Sequence, residues 1–128
     1  MNTLTTSGIQ ISVSTRFRRD LSDITVSSYF FNYHIEIENT NPFPVQLMSR
    51  DWYIFDSLSA ARYVNGEGVV GEQPVLQPGE KYSYISGCDL VSEIGMMKGF
   101  YTFKNLLDDT SFEVFVPTFV MEYPGKMN

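Results

Sequence analysis

The sequence predicts an all-β protein, an antiparallel sandwich of seven to eight short strands. Three observations predict it. Apolar and polar residues alternate with a period of two in several runs; clusters of Gly, Pro, Asn and Asp separate those runs; and no stretch carries the 3.6-residue period of an amphipathic helix. Aromatic residues are 15% of the chain, with ten Phe and eight Tyr, which suits an interior enclosed between two sheets.

Residues 1–8 are small and polar and are expected to form a flexible N-terminal segment, with a single domain over residues 9–128. From Ile9 to Phe17, the residues Ile9, Ile11, Val13 and Phe17 share one face, which predicts a half-buried strand. A polar connection follows over residues 18–28. The clearest strand sets Phe31, Tyr33, Ile35 and Ile37 against Asn32, His34, Glu36 and Glu38, and it stops at the turn cluster Asn39-Thr40-Asn41-Pro42. Val45 to Asp56 is apolar on both sides, as expected of a central strand or of one whose buried face changes at a bulge. Ala61 to Val64 reads as a short return. Lys81 to Ser86 alternates, residues 87–97 read as irregular with one helical turn near Leu90 to Ile94, and Phe100–Asn105 with Ser111–Pro117 form a hairpin around Leu107-Asp108-Asp109-Thr110. Phe119 to Tyr123 extends the last strand past Pro117, which suits an edge or a bulge.

The composition narrows the functions. The net charge is −6 over 128 residues, which works against nucleic acid or an anionic membrane as a partner. Cys88 is the only cysteine, the N-terminus carries no export signal, and no apolar run is long enough to cross a membrane as a helix. Together these predict a cytoplasmic setting.

The stretch Val64 to Pro74, VNGEGVVGEQP, contains a GxGxxG pattern at Gly66, Gly68 and Gly71. A dinucleotide loop needs a helix launched after its last glycine, so that the helix N-terminus faces a pyrophosphate. Here Pro74 and Pro78 follow, Val69 and Val70 are poor helix starters, and Glu67 and Glu72 bring negative charge to the place a phosphate would occupy. The glycines are therefore read as serving bends. His34, Glu36 and Glu38 share a strand face and read as solvated; Cys88 reads as a small buried side chain; Arg16, Arg18 and Arg19 form a minor basic patch; Asp108-Asp109 suits a hairpin tip. Trp52 reads as core. Arg50, on the same side of its strand, is expected to cover the core edge with its stem while its head reaches a carboxylate or backbone oxygen. No catalytic residue, cofactor site or metal ligand is assigned.

The runs VQLMSRDWYIFD (45–56), VNGEGVVGEQPVLQPGEKYSYISG (64–87), MMKGFYTF (96–103) and FEVFVPTFVM (112–121) resemble the ApaG family, also called DUF525, as does FFNYHIEIEN (30–39). The resemblance implies a fibronectin type III-like sandwich. Bacterial members of the family are stand-alone proteins, encoded in some genomes beside a diadenosine tetraphosphate hydrolase and linked genetically to cobalt and magnesium tolerance. In eukaryotes the domain lies within F-box proteins and a polymerase-associated protein, which implies a protein-interaction module. The family has no established catalytic residues, and its glycine pattern, suggested as a pyrophosphate contact, would fall here on Gly66, Gly68 and Gly71. The chain departs from the family at Asp51, where an aromatic or small residue is common. The expectation is a non-enzymatic binding module, monomeric or weakly dimeric, with a protein partner and a contact surface built from the three loop glycines and Arg50. The alternative is a sensor of phosphorylated nucleotides, pyrophosphate or divalent cations.

Overall fold

The computed structural model describes residues 2–126. Two antiparallel sheets face each other. Strands β1 (Asn2–Thr6), β2 (Ile9–Phe17), β3 (Tyr29–Asn39) and β7 (Lys81–Leu90) form one in the order β1-β2-β3-β7. Strands β4 (Val45–Asp56), β5 (Arg62–Glu67), β8 (Ile94–Asn105) and β9 (Ser111–Glu122) form the other in the order β5-β4-β8-β9, and the two-residue β6 (Val75–Leu76) also pairs with β4. With β1 and β6 set aside, these orders are the three-plus-four arrangement of the fibronectin type III sandwich. Among the described residues no helix is long and apolar enough to cross a membrane.

The period-two residues of β2 and β3 do what their spacing predicts. Ile9, Ile11, Val13, Phe31, Ile35 and Ile37 point inward and are at most 2% exposed. Facing them from the second sheet are Val45, Leu47, Trp52, Tyr101, Phe103 and Val114, all within the same core. Each such side chain contributes about 1.5–3 kcal/mol by leaving water.

Two irregularities decide which residues face out of the five-stranded sheet. The register of β4 against β8 shifts between Leu47 and Ser49. Before the shift the odd residues Val45 and Leu47 are buried; after it the even residues Trp52, Ile54 and Asp56 are. The register of β8 against β9 shifts between Met97 and Gly99, opposite Pro117, so the buried set passes from Val114 and Val116 to Phe119 and Met121. A bulge of this kind lets one strand change its buried face, and it accommodates a proline that has no donor for the ladder.

Three expectations change. Residues 2–6, expected as a flexible segment, pair with β2 from Asn2↔Val13 to Thr6↔Ile9. Ser7 and Gly8 supply the turn, both with positive φ (50° and 77°), which matches the twist of a two-residue hairpin. Asn2 Nδ2 and Thr6 Oγ1 then tie β1 to Thr118 and Phe115 of β9. The irregular stretch with a helical turn at 90–94 is instead the end of β7, a short connection and the start of β8. Gly87 and Gly95 sit inside those strands because the Phe30 ring crosses one and the Phe55 carbonyl and Leu90 approach the other, so side-chain alternation is interrupted where the backbone is regular. Finally, β5 extends to Glu67 and takes in Gly66.

Candidate functional site

The glycine stretch is a tight, internally bonded corner. Gly68 N–H donates to Met48 O at 2.8 Å; Val69 and Glu72 exchange backbone bonds of 2.8 and 2.9 Å around Val70 and Gly71. Val70 (φ 43°) and Gly71 (φ 82°) both lie in the left-handed region, so this is a two-residue reversal, followed by Pro74 and β6. At Gly68 (φ 62°) a Cβ would run into the Glu72 carbonyl, and at Gly66 it would stand 3.0 Å from the Arg50 guanidinium. Arg50 crosses Gly66 and donates through Nη1 to Glu67 O (3.1 Å) and Gly68 O (2.9 Å). Its head thus reaches backbone oxygens, and the loop amides of residues 68, 69 and 72 already serve protein acceptors. An anion seated on those three amides or on the Arg50 guanidinium would have to displace carbonyl oxygens from them. The structure brings Arg50, Gly66 and Gly68 together and leaves Gly71 apart at the tip, with nothing within 4 Å of the position of a Cβ.

Behind Arg50 lies a tyrosine cluster. Trp52, 2% exposed, packs against Tyr33, Tyr101 and Phe119 at ring separations of 5.6–6.2 Å. The hydroxyls of Tyr84 and Tyr101 bond each other at 2.5 Å across the two sheets. Burial pushes both phenols above their ordinary value, with the Arg50 charge acting in the opposite direction.

The remaining sequence candidates stand apart from one another. Cys88 is buried on β7, and desolvation raises its thiol to about 11, against the lowering effect of Arg62. Arg18 is held by Asp20 (2.6 and 2.9 Å) and Asn32, and Arg19 lies over the Phe17 ring, so two of the three arginines of the basic patch are engaged by neighbouring side chains. Asp108 accepts from Thr110 N and Oγ1, which holds its carboxyl below the usual range at the hairpin tip. His34, Glu36 and Glu38 alternate on the outer side of β3, and the described residues contain no group of three metal-ligating side chains.

The feature that residue spacing did not single out is the outer face of the five-stranded sheet. The cross-strand register sets three adjacent rows: Phe55, Met96 and Val120; then Tyr63, Tyr53 and Lys98; then Asn65, Asp51, Phe100 and Phe115. Tyr63 (52%), Phe115 (49%) and Val120 (54%) are half exposed although the core beneath is complete. Tyr53 and Tyr63 pack at 4.9 Å and Phe100 and Phe115 at 6.2 Å, while Lys98 Nζ lies 5.6 Å from the centre of the Phe55 ring. Tyr63 donates its hydroxyl to Asp51, and that bond pushes the phenol up to about 12. Two shallow hollows open along β8, about 230 Å³ beside Met96 and about 400 Å³ beside Gly99 and Phe100. The available signal was the apolarity of both sides of β4: the bulge after Leu47 turns Tyr53 and Phe55 outward.

A family model described as the ApaG domain (DUF525) matches residues 19–105. The chain belongs to the ApaG domain family. Protein ApaG of Methylobacterium radiotolerans is 45% identical over 119 residues, 93% of this chain and 91% of the relative. Protein ApaG of Mesorhizobium japonicum is 40% identical over 120 residues, 94% and 92% of the two chains. A solved structure of a Bordetella pertussis protein designated ApaA superposes with a TM-score of 0.87 at 39% identity, covering 91% of this chain and 94% of that one. A β-glucuronidase of Bacteroides uniformis shares the fold alone, with a TM-score of 0.51 at 14% identity over 88% of this chain and 13% of the enzyme. In this ApaG domain, then, the Gly68 corner is bonded within the fold, and the outer face of the five-stranded sheet carries exposed aromatic side chains.

Proposed function

We propose that this ApaG domain is a non-enzymatic protein-binding module and that it binds through the outer face of its five-stranded sheet. The observation that carries the reading is the row-by-row exposure of Tyr53, Tyr63, Met96, Phe115 and Val120, with Phe100 half-buried among them, on a paired ladder. Monomeric proteins leave open apolar patches of about 300–600 Å² at most, and such patches are often functional. Aromatic and methionine side chains are also the types enriched at the centres of interfaces. The glycine loop contributes rigidity at one border of this face, since Arg50 fixes the end of β5.

Affinity capture from extracts of the native cell tests the reading. The expected result is that Phe115→Ser with Val120→Ser loses partners that the parent chain recovers, while Gly71→Asn at the open loop tip retains them. Retention by the face variant and loss by the loop variant would return the contact surface to Gly66, Gly68, Gly71 and Arg50. The alternative, a sensor of pyrophosphate, diadenosine tetraphosphate, magnesium or cobalt, is read by calorimetry. Saturable heat at micromolar ligand would replace the present reading.

A further inference from the structure

The aromatic face has a charge at its centre. Lys98 stands in the middle row, with Met96 and Phe100 on its own strand to either side and Tyr53 directly across. Among the described residues its ammonium has the Phe55 ring as a neighbour and no carboxylate within ion-pair distance. Asp51, on the diagonal, is turned to the Tyr63 hydroxyl. Glu122 and Glu113 lie farther out, at the Ile94 and Thr102 levels of β8. The face therefore reads negative, apolar, positive, apolar, negative along β8.

That order discriminates between occupants. A second copy seated on this face about a two-fold axis would bring Lys98 against its own counterpart in an apolar centre, where like charges cost most. A heterologous partner meets no such conflict. Residues 96, 98 and 100 are i, i+2 and i+4 of one strand, and the outer two lie beside the two hollows about 13 Å apart. We propose that the occupant is an extended segment of another protein with bulky apolar side chains at i and i+4 and a carboxylate at i+2. The carboxylate meets Lys98, the apolar pair enters the hollows, and basic residues outside them face Glu113 and Glu122. This rests on the protein-binding reading of the same face.

The test titrates the isotope-labelled full chain with the peptide KTLTDTFTK, whose lysines share the face of Leu, Asp and Phe, and with its asparagine counterpart KTLTNTFTK, reading backbone amide shifts. The expected result is saturable shifts centred on residues 96–100 and 115–120, with the asparagine peptide about fivefold weaker, the upper scale of an exposed ion pair. Lys98→Met should erase that difference while leaving the shift pattern in place. Equal affinity for the two peptides, shifts centred elsewhere, or no saturable shift up to about 1 mM would overturn the proposal. So would sedimentation showing a dimer that Phe115→Ser dissociates. If partner capture needs Phe115 and Val120 but is indifferent to Lys98→Glu, the binding face stands and this choice of occupant falls.

Discussion

Val70 shows how local strain reports on the glycine corner. A β-branched residue at φ 43° sits where L side chains are disfavoured by about 1–2 kcal/mol, and it is half exposed, so it gains little from packing. Val70→Asn would create the Asn-Gly pair preferred in such turns and should stabilise the fold by about 1 kcal/mol in urea denaturation. Gly68→Ala should cost more than about 2 kcal/mol, since it combines positive φ with collision against the Glu72 carbonyl, whereas Gly71→Ala meets open space and should cost about 1 kcal/mol. A ranking in which Gly71 is the more sensitive would contradict the bend-forming role of Gly68. Cys88 makes a second prediction. Its thiol is protonated in the fold until about pH 11, whereas an unfolded thiol ionises near 8.5. Between those values the unfolded chain holds fewer protons, so the stability the thiol contributes is complete below about pH 8.5 and is lost as pH rises towards 11. Urea midpoints should fall across that window, less steeply in Cys88→Ala; identical slopes would remove the thiol from the explanation.

Among the elements, the Tyr84–Tyr101 bridge links β7 to β8 through the core. Tyr84→Phe leaves the fully buried Tyr101 hydroxyl without that partner and should cost about 1–3 kcal/mol; adding Tyr101→Phe should recover part of the loss, because an unmade buried hydrogen bond costs more than an absent one. Additive losses in denaturation would argue that the bridge carries no coupling. The sheet flanks are also closed by side chains. Arg62 of β5 donates to Asp89 O of β7 at 2.5 Å, Arg50 occupies Glu67 O, and β1 covers β9. An edge whose carbonyls are taken in this way is a poor template for another strand. Where alternation was uninterrupted, as in β2 and β3, the strands were legible in the sequence; the extension through Pro117 was legible as well. Where a glycine lies under a ring or a carbonyl, at Gly87 and Gly95, the period is broken although the strand is not. The β1 hairpin was signalled only by Ser7-Gly8, because β1 itself is a five-residue run with no buried residue to mark a face.

For the whole molecule, the sandwich uses its inner faces for stability, and the outer face of the five-stranded sheet carries the exposed aromatic side chains. Phe115→Ser with Val120→Ser should therefore lower stability by less than about 1 kcal/mol, in contrast to changes on the inner side of the same strand, such as Val114→Ala, which should cost about 2 kcal/mol or more. The glycine pattern and Arg50 were conspicuous in the sequence because motifs are contiguous. The aromatic face was not, because it is assembled from β4, β5, β8 and β9 and depends on two bulges whose positions only pairing reveals. Hydrogen exchange on the full chain, alone and bound to a partner recovered from the native cell, tests the central claim most directly. Slowed exchange over residues 96–100 and 115–120, with residues 66–72 unchanged, is the predicted result; new protection confined to residues 66–72 would contradict it.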